Sequence, residues 1–151
     1  MSGKFRLGIV LRLREMTEES ARIELGHAVN VHQRAVAAVE AAHGRAGAEL
    51  RWLANLQTSR AEAGQLQSAV FAVAAAQRAI VAAQEQLGRA TSALFEARRV
   101  LAEAVRQREV VERLKDRFQV AERRESEHRD SMTMAEIASA QYATRMARQR
   151  Q

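Results

Sequence analysis

The sequence contains no cysteine and no proline, and only 4% of its 151 residues are aromatic. Without cysteine, the chain cannot form a disulfide, a thiolate metal site or a cysteine nucleophile. Without proline, no residue ends a helix by removing a backbone donor, and the frequent Ala, Leu, Glu, Gln and Arg residues favour helix. The hydrophobic fraction of 47% is therefore mostly alanine, leucine and valine. This composition predicts an all-α protein with a thin core.

Uninterrupted apolar runs of membrane-spanning length are also missing. Arg12 and Arg14 interrupt the apolar residues near the N-terminus, and Gln77 and Arg78 interrupt the run over residues 69–83. A membrane-spanning helix needs about 20 consecutive apolar residues. We therefore expect a cytoplasmic protein without direct membrane insertion.

The net charge of +6 is concentrated at the two ends. Residues 1–14 and 145–151 contain basic residues and no acidic ones, whereas the segment between them balances 17 basic against 18 acidic residues. A mixed-charge surface of this kind is typical of a long exposed helix. Nucleic-acid binding is the weaker interpretation, because aromatic side chains that could stack on bases are scattered rather than interleaved with basic clusters.

The second half of the chain carries a sustained heptad pattern. Apolar residues alternate in steps of four and three, which predicts a coiled coil. The residues of this seam are Ala69, Val73, Ala76, Ile80, Ala83, Leu87, Ala90, Leu94, Ala97, Leu101 and Ala104. Beyond them the seam meets Arg108, resumes at Val111, and is predicted to shift phase to Leu114, Phe118 and Ala121.

The first half carries a matching but weaker seam. Its residues are Leu11, Ala21, Leu25, Ala28, Ala35, Val39, Ala42, Ala46, Leu53 and Leu56, with Arg14, Glu18, His32 and Glu49 at the remaining positions. Between the two seams, Ser59 and Glu62 have the spacing of a capping box, and Gly64 follows them.

We therefore predict a single antiparallel helical hairpin spanning residues 1–151. Helix one covers about 5–57, the turn about 58–64, and helix two about 65–147, with an overhang after about residue 118. If residues whose numbers add to 122 face each other across the hairpin, large side chains lie opposite small ones at most layers. Leu94, for example, then faces Ala28. Sums of 115 or 129 would also align the seams, and 129 is kept as the alternative.

Enzymatic chemistry is not expected. Glu125 and His128 have the E-x-x-H spacing of di-iron bundles, but such a site needs a second motif and two further glutamates. The segment "HGRAG" at 43–47 lacks the lysine of a phosphate-binding loop. We predict no catalytic residue, no metal site and no cofactor.

Three segments resemble the FliJ family of the bacterial flagellar type III export apparatus. They are "FRLGIVLRLREMTEESARIEL" at 5–25, "QRAIVAAQEQL" at 77–87, and "VVERLKDRFQVAERRE" at 110–125 followed by "MAEIA" at 134–138. The resemblance implies a hairpin similar to the stalk of rotary ATPases. It also implies a cytoplasmic protein, peripherally associated with the flagellar basal body at the inner membrane. The implied partners are the hexameric export ATPase, a membrane protein of the export gate, and export chaperones.

Two sets of partner-binding residues follow from the resemblance and the fold-back. In the register in which facing residue numbers add to about 122, residues 5–14 lie beside residues 108–117. The resemblance assigns this end of the hairpin to the ATPase ring. The ring-end set comprises Phe5, Arg6, Arg12, Arg14, Arg113, Lys115, Arg117 and Phe118, with Phe5 expected close to Phe118. The gate set comprises Phe71, Ala72, Ala76, Ala79 and Ala83. A purely structural or tethering coiled coil is the alternative function.

Overall fold

A computed structural model describes residues 2–149 of the chain, and the surroundings of side chains 6–148. It contains two α-helices, α1 over Ser2–Thr58 and α2 over Ala63–Gln149. The described residues contain no strand, and the predicted all-α hairpin of two packed helices is confirmed. Each helix begins a few residues before its predicted start and ends slightly after its predicted end.

The turn between the helices is shorter than predicted, and its cap is built differently. The backbone carbonyl of Glu62 accepts hydrogen bonds from the backbone N–H groups of Gln65 at 3.0 Å and Leu66 at 3.2 Å. The Gln65 side chain accepts one from the Glu62 backbone N–H at 3.2 Å. Ser59 instead donates back to the Leu56 carbonyl at the end of α1. The predicted capping box at Ser59 is therefore wrong, because that hydroxyl closes the first helix and the second begins four residues later, at Ala63.

The chain divides into two compact units. The hairpin unit spans Met16–Val105, and the terminal unit combines Met1–Glu15 with Arg106–Gln151. In the hairpin unit, every predicted seam position on both helices is buried or half-buried, including the polar residues Glu18, His32 and Glu49. The most buried apolar residues are alanines, namely Ala21, Ala42, Ala46, Ala69, Ala90 and Ala104.

One charged side chain belongs to this core. Glu18 is only 2% exposed, and its carboxylate forms an ion pair with Arg22 one turn further along α1. Burying a charge without a partner is costly, so this pairing within the helix lets a carboxylate occupy a seam position. The sequence pattern located Glu18 at the seam but did not predict the ion pair.

In the terminal unit the seam continues without a change of phase. Arg108, Val111, Lys115, Phe118 and Glu122 are all buried or half-buried. Leu114 is 48% exposed, and Ala121 is exposed. The predicted phase shift is therefore wrong.

The reason lies in the opposing helix. Helix α1 extends to Ser2 and keeps its own heptad phase, so the facing side of α2 follows α1 rather than the apolar pattern of α2. Long basic side chains can cover apolar surface with their aliphatic stems, which allows Arg108 and Lys115 to occupy seam positions. Beyond Glu122, all side chains through Arg148 are exposed.

The pairing register follows from contacts inside each unit. In the terminal unit, Arg14 Nη1 donates to Gln107 Oε1 at 2.6 Å, and these two residue numbers add to 121. In the hairpin unit, Ala38 and Ala83 line the same two grooves, and their numbers also add to 121. The structure therefore has the register near 122 and not the alternative at 129. A turn between Thr58 and Ala63 is centred between residues 60 and 61 and enforces this choice.

Leu94 provides a test of the seam. It is half-buried on α2 and, in this register, faces Ala28. Leu94→Asp should lower the free energy of unfolding by about 2–4 kcal/mol, because a carboxylate would replace an apolar side chain in a close-packed layer. The measurement is urea denaturation followed by circular dichroism.

Gln86→Asp is the matched control, because Gln86 is exposed outside the seam of the same helix. It should shift the urea midpoint by much less. Equal shifts for the two variants would place the packed face elsewhere on α2.

Candidate partner-binding surfaces

An alanine-floored groove runs along one flank of the hairpin unit. It consists of two overlapping stretches of about 790 Å³ and about 500 Å³ that share Ala38 and Ala83. Its floor and walls are mostly alanine from both helices. Four charged residues line it as well, namely Arg34, Arg45, Glu49 and Arg89.

The groove contains four of the five predicted gate residues. Ala72, Ala76, Ala79 and Ala83 line it, whereas Phe71 does not and is 64% exposed. The sequence prediction missed the side of the groove that comes from α1, which around these gate residues comprises Ala38, Ala42, Arg45 and Glu49. A signal existed, since Ala38 and Arg45 directly precede the seam residues Val39 and Ala46, just as Ala72 and Ala79 precede Val73 and Ile80.

The described members of the ring-end set all belong to the terminal unit. Arg6, Arg12, Arg113 and Arg117 are exposed. Arg113 faces Glu109 at 3.7 Å one turn away. By contrast, Arg6, Arg12 and Arg117 form no ion pair within the part of the chain that the structure describes. These three guanidinium groups are therefore available to an external partner.

The other members have different surroundings. Arg14 is half-buried and bonded to Gln107, so it packs within the terminal unit rather than projecting outward. Lys115 and Phe118 are half-buried at seam positions. The side chain of Phe5 lies outside the described residues, and its expected proximity to Phe118 remains a prediction.

The exposed end of α2 carries its own apolar line. The phase that the sequence suggested at Leu114 and Ala121 continues in steps of four and three to Met132, Tyr142 and Met146, with the polar residues Glu125, His128 and Ser139 at positions between them. These last three side chains are 40–65% exposed. The second apolar pattern in α2 thus lies on the surface, not in the hairpin core.

Helix α2 also contains a window of 18 residues with a mean hydropathy of 1.4, of which 6% is buried. By length and composition this is one candidate membrane span among the described residues, and a single such helix is weak evidence. The mean hydropathy of this window is high because α2 carries apolar residues outside its seam as well as on it. The absence of membrane insertion stays a prediction.

Charged groups elsewhere form ordinary surface pairs. Arg99 donates to both carboxylate oxygens of Glu96, at 2.9 Å from Nε and 2.6 Å from Nη2. These hydrogen bonds lower the pKa of Glu96 below its usual value; desolvation opposes them, and the positive charge of Arg99 adds to them. Exposed pairs of this kind contribute little stability. Among the described residues, no group of three or more His, Cys, Asp or Glu side chains is placed to hold a metal ion.

Two long helices joined by a tight turn, with a groove and basic side chains left uncovered, define a coiled-coil hairpin with surfaces for partners. The family model of the flagellar FliJ protein matches residues 3–147, and the chain belongs to the FliJ family. It is therefore a protein of flagellar export. Neither a curated protein nor a solved structure matched the chain.

Proposed function

We propose that this protein is a non-enzymatic adaptor of flagellar type III export. The terminal unit associates with the ring of the hexameric export ATPase in the manner of a stalk. The groove of the hairpin unit receives a segment of the export gate, and the exposed apolar line near the end of α2 receives export chaperones. Family membership supports the export context, and the exposed unpaired arginines of the terminal unit carry the assignment of the ring contact.

The charge arrangement supports this assignment. Within the terminal unit, Arg108 pairs with Glu112 at 2.6 Å and Arg113 faces Glu109, so these acidic side chains are already engaged. The three exposed arginines that form no ion pair among the described residues present positive charge to the surroundings. Charged groups at the edge of a contact chiefly set the rate and orientation of association, and salt weakens them. A negatively charged surface on the ATPase would match them.

The groove favours a different kind of partner. Its alanine floor admits the apolar side of an amphipathic helix at short distance, since small side chains let helix backbones approach. The edges of the groove carry a net positive charge, because they contain one acidic residue, Glu49, and three basic residues, Arg34, Arg45 and Arg89. An amphipathic gate segment flanked by acidic residues fits both features.

The ring contact can be tested by reversing two exposed charges. Arg12→Glu combined with Arg117→Glu should retain full helicity but weaken association with the cognate ATPase and reduce stimulation of its turnover. The salt dependence of binding should also become shallower, because two screened attractions are replaced by repulsions. Fluorescence anisotropy across a salt series, together with steady-state ATP hydrolysis, measures both effects.

Arg60→Glu with Arg78→Glu makes the same change of charge at exposed positions of the hairpin unit and serves as the control. It should leave ring association near the wild-type value. If both pairs of substitutions weaken binding equally, net charge alone governs the interaction and the terminal unit has no special role.

The groove is tested by Ala79→Arg. Ala79 is exposed and lines the groove, so an arginine there should block a helix from reaching the alanine floor. Affinity for the cytoplasmic part of the export gate should fall at least about tenfold, or about 1.4 kcal/mol. Stimulation of the ATPase should not change. Isothermal titration calorimetry gives the first quantity.

Ala102→Arg is the control for the groove, since it introduces the same side chain at another exposed alanine of α2. Wild-type gate affinity is expected for it. Unchanged affinity of the Ala79 variant would remove the groove from the gate contact.

A further inference from the structure

The flank of the hairpin unit opposite the groove is almost free of charge. On α2, the line that starts at Val70 and steps alternately by four and three residues to Phe95 has eight positions and no charged residue. On α1, the same stepping from Val29 to Ala54 gives eight positions with one charged residue, Glu40. We call these two lines the neutral face. At the chain average of 28% charged residues, about four or five of sixteen positions would be charged.

The two lines lie together for a geometric reason. Val29 and Val70 directly follow the seam residues Ala28 and Ala69, whereas the groove residues directly precede seam residues. In an antiparallel pair of helices, the positions after the seam meet on one flank and those before it on the other. The neutral face is therefore a surface distinct from the groove.

Large apolar side chains are uncovered on this face. Phe95 is 73% exposed, Val81 and Val70 are each 55% exposed, and Leu50 on α1 is 51% exposed. Exposed apolar side chains that lie together in this way are unfavourable in water unless another molecule covers them.

Glycines on the same flank point to close contact from outside. Gly88 lies on the α2 line, and a Cβ atom there would meet no atom within 4 Å. The same holds for Gly26, three residues before Val29 on α1. Gly47 on the α1 line differs, because a Cβ atom there would lie 3.4 Å from Arg51 Nη1. Glycine inside a helix costs about 1 kcal/mol of stability relative to alanine. At Gly26 and Gly88 no atom within the hairpin would clash with an alanine side chain, so packing inside the hairpin does not require glycine there. A closely approaching helix of another chain would use the space.

We propose that a second copy of this chain covers the neutral face. About 25 residues at 1.5 Å each give a face about 38 Å long, and two adjacent helices make it about 20 Å wide. The resulting area of about 750 Å² is close to the roughly 800 Å² that each partner buries in a stable interface. A neutral surface is complementary to itself and needs no oppositely charged partner.

The positions of the few polar groups fit a two-fold axis. When α1 packs antiparallel to its own copy about an axis between Glu40 and His43, the one carboxylate of the face lies opposite His43 of the second copy. The same axis brings Val70 near Gly88 of the second copy, so a large side chain meets a glycine. Both contacts occur twice, as an isologous dimer requires.

Light scattering on the full chain tests the dimer. The wild-type mass should approach twice 16.8 kDa as the concentration rises. Val81→Glu should return it to the single-chain value, because two carboxylates would then be buried in the interface. Val31→Glu is the matched control, since Val31 is 53% exposed but lies on the groove side. It should remain dimeric.

Gly88→Leu separates the interface from folding. Leucine favours helix more than glycine does, so the variant should be at least as helical and as thermally stable as wild type, yet largely single-chain. A wild-type mass of 16.8 kDa up to about 0.1 mM protein would overturn the proposal. So would a dimer that survives both Val81→Glu and Gly88→Leu, or one that Val31→Glu disrupts equally.

Discussion

The structure depends on the close approach of two helices through a seam in which alanine faces larger aliphatic side chains. The most buried apolar residues of the hairpin unit are all alanines, and no large apolar side chain among residues 16–105 is fully buried. A seam of this kind tolerates few pairing registers, because a shift of one heptad changes every pair of facing residues. The tight turn after Thr58 then selects one register.

The same constraint determines what remains for function. Small seam residues leave each helix with most of its circumference exposed, so apolar residues outside the seam become surface. On one flank they form the groove, and on the other they form the neutral face. The terminal unit differs, since its seam includes Arg14, Arg108 and Lys115, whereas Arg6, Arg12 and Arg117 are exposed. A two-helix hairpin therefore exposes separate surfaces of different chemistry without needing a large core.

Much of this fold could be predicted from sequence because heptad spacing records burial directly. The seams, including Glu18 and Glu49, were predictable from residue spacing. The register near 122 depended on the position of the turn as well, because sums of 115 or 129 would also align the seams. The phase shift at Leu114 was not, because the apolar pattern of α2 serves two surfaces and only the opposing helix shows which one is packed. The cap at Gln65 was missed because the Ser59 hydroxyl can either accept a bond from the Glu62 backbone N–H or donate one to the Leu56 carbonyl, and local sequence does not say which.

The candidate sites were predictable only in part, for a related reason. The gate residues between Ala72 and Ala83 could be assigned to a surface of α2 from sequence. The other side of the groove comes from Ala38 and Arg45 of α1, and these two residues can be placed beside the gate residues only when the register is known. Likewise Arg6, Arg12 and Arg14 look alike in sequence. The hydrogen bond from Arg14 to Gln107 separates a packed arginine from exposed ones.

The register is the central claim, and spin-label distances measure it directly. Because the chain has no cysteine, pairs of introduced cysteines carry labels only where intended. Glu40→Cys with Val81→Cys and Glu40→Cys with Gly88→Cys differ by one heptad along α2, or about 10 Å. Diluting each labelled variant with unlabelled chain restricts the measurement to distances within one molecule. The present register predicts the shorter distance for the Val81 pair, and a shorter distance for the Gly88 pair would contradict it.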